Sequence, residues 1–251
     1  MNPAPTCLRA LVLRALIAVL AVMLLTAPAR AASDSEWFDV EGRIQYGFYT
    51  EDTRSLASLT EQLSSEIAPD DELKSYYAAL ANYRLGLLWG ARDAGRAKDA
   101  IERCVANLNR ALKGRAEFPE ALALQAACLE TQASLKPWTA PLSASKRNSQ
   151  IERALKLAPK NPRVLLLDAL ETKDTKQAIA QLKKAVVAFE KERQDVDRAP
   201  GWGAAEAYVY LGRSYLDSGN LIEAREALER ALIIAPEFAQ ARRLLSKITA
   251  G

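Results

Sequence analysis

The chain contains no histidine. That absence removes the side chain that titrates nearest neutral pH and the commonest metal ligand. Histidine-built zinc sites, Ser-His-Asp enzymes and Cys-His nucleophile enzymes are excluded with it. Long apolar runs are also missing. The run over 15–25 falls short of the ~20 residues a membrane-spanning helix needs. No basic run is long enough for a nucleic-acid footprint, so nucleic acid is not an expected partner. Cysteine is sparse, with three residues at positions 7, 104 and 128.

What is present at the N-terminus explains the short apolar run. Arg9 and Arg14 precede it, and the small residues Ala27-Pro-Ala29-Arg-Ala31-Ala32 follow it. This is the layout of a secretory signal peptide over 1–31, with Ala29-x-Ala31 as the cleavage site. An uncleaved anchor is the runner-up reading. Cys7 lies ahead of the apolar run and is no lipid-bearing cysteine, and the segment has no twin arginine. The expected location is the periplasm or the cell exterior. The 34 basic and 31 acidic residues include Arg9, Arg14 and Arg30, so the chain without this segment is about neutral. No stable membrane span is expected after cleavage.

Of the 251 residues, 49% are apolar and 26% charged, an ordinary globular balance with material for a core. The most informative stretch is 204–237, AAEAYVYLGRSYLDSGNLIEAREALERALIIAPE. Ala207, Tyr208, Leu211, Tyr215 and Leu216 recur at helical spacing, and so do Leu221, Ala224, Leu228, Ala231 and Leu232. Gly219-Asn220 supplies the turn between them, and Pro236 stops the second helix. Gly212 sits inside the first helix, where glycine costs ~1 kcal/mol relative to alanine, so it predicts close approach of the second helix.

Tyr208-x-x-Leu211-Gly212-x-x-Tyr215, then Ala224-x-x-x-Leu228, Ala231 and Pro236, resemble a tetratricopeptide repeat, with Tyr208 and Leu228 as apolar departures from its usual Trp and aromatic positions. Leu85-Gly86-x-x-Trp89 echoes the signature. The ending Ala-Leu-x-Leu/Ile-x-x-Pro recurs, in variants, at Ala111, Ala154 and Ala231. The fold class the resemblance implies is all-α, a right-handed α-solenoid of about five helical pairs over 37–68, 72–117, 119–160, 162–199 and 204–237. Residues 238–249 read as a capping helix with a polar outer side. Along the way, 44–48 reads as a short helix, Thr53 as the cap of the next one, and helix resumes near Ser149 after the Pro137–Pro141 insertion.

Three short motifs invite chemistry. Ser143-Ala-Ser-Lys146 fits the Ser-x-x-Lys of penicillin-binding enzymes, but Ser-Asp-Asn and Lys-Thr-Gly are absent and no sheet is predicted to hold them. It reads as a helix start. Gly201-Trp-Gly203 follows no strand and lacks a third glycine, so it reads as a helix-start turn, not a phosphate loop. Asp70-Asp71-Glu72 lacks spaced oxygen ligands and reads as acids suited to a helix N-terminus. No cofactor and no metal are expected, and the chain is not expected to be an enzyme.

The resemblance implies function on the concave face lined by the first helix of each pair. Tyr83, Leu87, Glu130, Arg163, Glu206, Arg213 and Leu216 are the candidates there, and Trp138 on the proline-stiffened loop is another. Each also reads as plain packing or surface. The family's carboxylate clamp needs Lys and Asn where this chain has Val209 and Arg213, so the clamp is not implied. The expected function is a non-catalytic scaffold or adaptor for other cell-envelope proteins or peptides. A chaperone or carrier holding extended polypeptide in the groove is the alternative, and an unrecognised envelope enzyme the third. Cys104 and Cys128 lie on consecutive helices at similar distances from the 114–119 turn. Two readings stay open for them, a disulfide favoured by an oxidising compartment or two small buried hydrophobes.

Overall fold

Helix-length apolar stripes, separated by short breakers, become eleven helices without a strand among the described residues of the computed structural model, which are 29–65, 71–90, 92–137, 140–192 and 200–249. In order they are α1 Ala29–Tyr49, α2 Thr53–Ser65, α3 Glu72–Gly90, α4 Ala94–Gly114, α5 Pro119–Leu135, α6 Ala140–Leu157, α7 Pro162–Glu171, α8 Thr175–Glu192, α9 Ala204–Asp217, α10 Leu221–Ile234 and α11 Ala239–Thr249. The described residues divide into two units between Val40 and Glu41, and the helical pairs belong to the second. The segment 1–28, which holds most of the signal-type sequence, lies outside the described residues, as does Trp138.

The fold is all-α, built from consecutive pairs. From α3 to α11 each helix packs on the next, and α5 also packs on α7. Within three of the pairs a glycine lets the helices close. A β-carbon on Gly47 would lie 2.9 Å from Leu56 Cγ, one on Gly86 2.6 Å from Ile101 Cδ1, and one on Gly212 2.8 Å from Leu228 Cγ. These distances are too short for a real contact, so the second helix rests directly on glycine backbone.

Helix ends follow local chemistry. Asn161 accepts from the Arg163 and Val164 amides at 3.0 and 3.3 Å and starts α7, with Pro162 in the first turn. Asp93 accepts from the Arg96 amide at 3.0 Å and starts α4. Three expectations need correction here. Helix α1 runs unbroken from Ala29 to Tyr49, well upstream of the short 44–48 piece, because no proline interrupts it. The cap of α2 is Asp52, whose Oδ1 accepts from the Arg54 and Ser55 amides at 3.1 and 3.0 Å; Thr53 is already helical. Helix α6 starts at Ala140 because proline is tolerated in a first helical turn, so Pro141 begins a helix there instead of delaying it.

Cys104 on α4 and Cys128 on α5 are joined by a disulfide, with their α-carbons 6.5 Å apart. Both are fully buried. The bond therefore ties the second helix of one pair to the first helix of the next.

Helices α3 and α5 are buried nearly all round. Every residue from Ser75 to Gly86 and from Ala121 to Leu129 is buried. A helix apolar on one stripe leaves its other side to water; one buried on all sides has a cover on each. For α3 part of that cover is the chain's own first helix, through Glu41 on Tyr77 and Phe48 under Arg84.

Candidate functional site

The face lined by α3, α5, α7 and α9 is the one on which partners are expected. Its centre is filled. Phe48 and Tyr49, at the end of α1, sit between α3, α9 and Phe238, which precedes α11. Their rings lie 6.0 and 4.4 Å from the Phe238 ring, centre to centre. Glu206 on α9 takes a hydrogen bond from Tyr49 Oη at 2.8 Å on Oε2 and one from Arg84 of α3 on Oε1. The Arg84 guanidinium lies over three rings, 4.4 Å from Phe48, 4.9 Å from Trp202 and 5.9 Å from Tyr83. Burial works most strongly against the Arg84 charge, but Glu206 together with Tyr210, Tyr49 and Tyr83 outweighs it and holds the Arg84 pKa above the usual arginine value.

A second knot lies one to two turns toward the N-terminal end of α3. Glu41 of α1 accepts from Tyr77 Oη at 3.0 Å, from the Gly201 amide at 2.9 and 3.0 Å, and from Gln45 Nε2 at 3.0 Å. Burial raises the Glu41 pKa, partly offset by the Gly201 amide and the Tyr77 hydroxyl. Trp202 Nε1 donates to Tyr76 Oη at 2.8 Å. Gly203, at φ 113°, then opens α9, and a β-carbon there would meet Phe189 Cζ at 2.6 Å. The Gly201-Trp-Gly203 turn thus has a job: it donates one amide to Glu41, buries one indole and passes one left-handed backbone beneath a ring.

The candidate residues separate into three groups. Tyr83, Arg163 and Glu206 are buried at 4%, 1% and 0% exposure and do not open onto a groove, contrary to the expectation for the concave face. Arg163 is spent on a two-pronged ion pair with Glu192, both contacts at 2.8 Å. Leu87 and Glu130 are half-buried, and Glu130 pairs with Arg147 of α6. Arg147 also faces Glu171 at 3.8 Å. Burial pushes the Glu171 carboxyl up to about 7; Arg147 opposes that, while Glu130 and Asp168 add to it. The last group, Arg213 and Leu216, lines a cleft of 480 Å³ between α9, α10 and α11.

That cleft is where the inner face stays open. Leu216, Leu244 and Ile248 supply apolar surface, Arg213 and Lys247 positive charge, Asp217 and Gln240 polar rim. Helix α11 stands where the first helix of another pair would stand. The cleft is therefore the inner face of the last pair, beyond the reach of α1. It can hold side chains of an extended or helical segment, and it brings together no set of groups arranged for bond-making. Among the described residues no group of three His, Cys, Asp or Glu side chains is placed to hold a metal ion. Lys146 of the Ser-x-x-Lys motif is exposed on α6 and donates to Asn109 Oδ1 at 3.2 Å. No helix among the described residues is long and apolar enough to cross a membrane.

Sequence reasoning missed Glu41, Tyr49, Arg84 and Trp202, the residues that close the inner face. Their signal was present as polar and aromatic side chains on α1 and α3, and in the turn before α9, at positions that a solenoid would otherwise leave to solvent. What it lacked was a partner, since Tyr49 and Glu206 are 157 residues apart.

Comparison with known proteins agrees with the local reading. Residues 205–238 match the tetratricopeptide repeat family model, so the chain carries that repeat at α9 and α10. No curated protein matches the chain. Among solved structures it is similar to a Podospora anserina chain titled as a putative kinesin light chain with nearly identical TPR-like repeats, at 19% identity, over 90% of this chain and all of that one, with a TM-score of 0.34. The repeat is a protein-interaction fold, and proteins or peptides are the partner class it implies.

Proposed function

We propose that the chain is an exported, non-catalytic adaptor of the cell envelope, and that its partner protein seats in the cleft between α9 and α11. One observation carries the reading. The chain's own first helix occupies the centre of the inner face at Tyr83, Arg84 and Glu206, and the open remainder lies at Arg213, Leu216 and Leu244. Export is supported by the signal-type sequence over 1–31 and by the Cys104–Cys128 bond, since disulfides persist in oxidising compartments. The absence of histidine from the sequence supports a non-catalytic role.

The same observation weighs against a carrier that holds extended chains along the whole groove, because such a chain would first have to displace α1. It also accounts for the buried carboxylates that an enzyme reading would need. Glu41 and Glu206 are each satisfied by hydroxyl, amide or guanidinium donors and closed to solvent, so they hold helices together.

A photo-crosslinking side chain placed at Leu244, in cells, tests the reading. Adducts are expected with a discrete envelope protein, and Arg213→Glu on the same chain should remove them. Adducts unchanged by Arg213→Glu would refute the cleft. A location test is separate: an alkaline phosphatase fused to the C-terminus should be active, and an inactive fusion would refute export.

A further inference from the structure

We infer that a second docking surface, sharing no lining residue with the α9–α11 cleft, lies on helix α8, and that it takes an acidic amphipathic peptide segment. A groove of 760 Å³ runs between α8 and the turn joining α6 to α7. Its floor is apolar, made by Pro159, Pro162, Leu165, Val187 and Ala188. Val187 is 48% exposed, so part of that floor is open to solvent. Around that floor stand Lys160, Lys183, Lys184 and Lys191. Lys183, Val187 and Lys191 are spaced by one helical turn each, so they form a single Lys-Val-Lys row along α8.

The charge of this groove is not balanced from within. The one acid in its lining, Glu192, is held by the two terminal guanidinium nitrogens of Arg163, each at 2.8 Å. Among the described residues none of the four lysines is within ion-pair distance of an acid; Lys183 lies 5.7 Å from the Tyr215 ring. Four lysines without a direct ion pair, of which Lys184 interacts at longer range with Asp168, therefore surround an apolar trough in a chain whose basic and acidic residues are otherwise close to equal. The complementary occupant has carboxylates on its flanks and one or two aliphatic side chains pointing inward, since matched charge steers encounter and fixes register. A bilayer is a poorer fit, because membrane-binding surfaces present their apolar side chains outward and here they line a recess. Nucleic acid is poorer still, because no aromatic side chain lines the groove for base stacking.

The test uses the mature chain and a fluorescein-labelled dodecapeptide alternating Asp or Glu with Leu, read by fluorescence anisotropy. Saturable binding is expected, and it should weaken by about ten-fold or more in Lys183→Glu/Lys191→Glu. Val187→Asp should weaken it similarly, while Leu244→Glu in the α9–α11 cleft should leave it unchanged. Circular dichroism melts of each variant exclude unfolding as the cause. Three results would overturn the inference. They are no saturable binding, equal binding of a peptide in which every Leu is replaced by Ser, and capture of phosphatidylglycerol vesicles without capture of the peptide. A failed Leu244 crosslink would leave this result untouched, since the two surfaces share no residue.

Discussion

Tyr49 and Glu206 stand 157 residues apart in the chain and share a buried hydrogen bond of 2.8 Å. Arg84 completes the group by pairing with the other carboxylate oxygen of Glu206. Each member is nearly sealed from water, with side-chain exposure of 4% for Arg84 and 1% for Glu206. A buried pair of this kind gains little over an apolar substitute, yet breaking it strands a charge. The group thus makes the join between the first helix and the last repeat strongly specified. Glu206→Ala should cost about 3–5 kcal/mol in a urea titration, because it leaves the Arg84 cation buried alone. Tyr49→Phe, which leaves the ion pair intact, should cost about 1 kcal/mol. Equal and small losses from both would show that the group is solvated.

The glycine contacts give a second prediction with an internal control. Gly212→Leu must push Leu228 away, and overpacking of that kind costs about 1–3 kcal/mol. Gly42 is also helical, but nothing lies within 4 Å of a β-carbon built there. Gly42→Ala should therefore stabilise by about 0.5–1 kcal/mol through helix propensity. A neutral Gly212→Leu would mean the α9–α10 pair is looser than described.

The disulfide is checked by chemistry. Thiol labelling of the unfolded, unreduced mature protein should find no free cysteine. Reducing a bond that closes a 24-residue separation should lower stability by about 3 kcal/mol in the chain-entropy account. Quantitative labelling without a reductant would show two separate thiols.

Glu171 predicts a pH slope. Its folded pKa of about 7 lies above the ordinary value of 4.5, so between the two the folded chain keeps a proton that the unfolded chain has lost. Stability contributed by this group is full below about 4.5 and falls as pH rises toward 7. Glu171→Gln should flatten that part of the Tm-versus-pH curve and raise Tm at pH 8. The group has a buried oxygen, Oε1, with no partner among the described residues, which is why neutralising it helps. An unchanged slope in Glu171→Gln would place the titration elsewhere.

How much of this was legible beforehand depends on range along the chain. The helical pairs were readable because their signals are local. Examples are the apolar rows of α9 and α10, the Gly219-Asn220 turn, and Gly212 as a close-approach residue. The echo at Leu85-Gly86 was local as well, and its glycine proves to rest on Ile101. The start of α6 was missed because its first turns carry Ser143, Ser145, Lys146 and Asn148, which have no apolar period to follow. The occupied inner face was missed for a different reason. Tyr83, Arg163 and Glu206 are polar or amphipathic residues on the expected helices, and a single sequence cannot tell a polar residue facing solvent from one facing a distant ion-pair partner. Arg213 and Leu216 differ from them only in lying past the end of α1.

The central claim is that residues 41–49 are a fixed part of the inner face and not a removable cover. Hydrogen–deuterium exchange of the free mature protein, followed by mass spectrometry, tests it most directly. The logarithm of the exchange rate falls in proportion to the free energy of the opening that exposes an amide. The account predicts that amides over 44–49 exchange as slowly as those over 206–212 on α9, and that both accelerate together in Glu206→Ala. Fast exchange over 44–49 alongside slow exchange over 206–212 would contradict it, because the first helix would then leave the face while the repeats stayed folded.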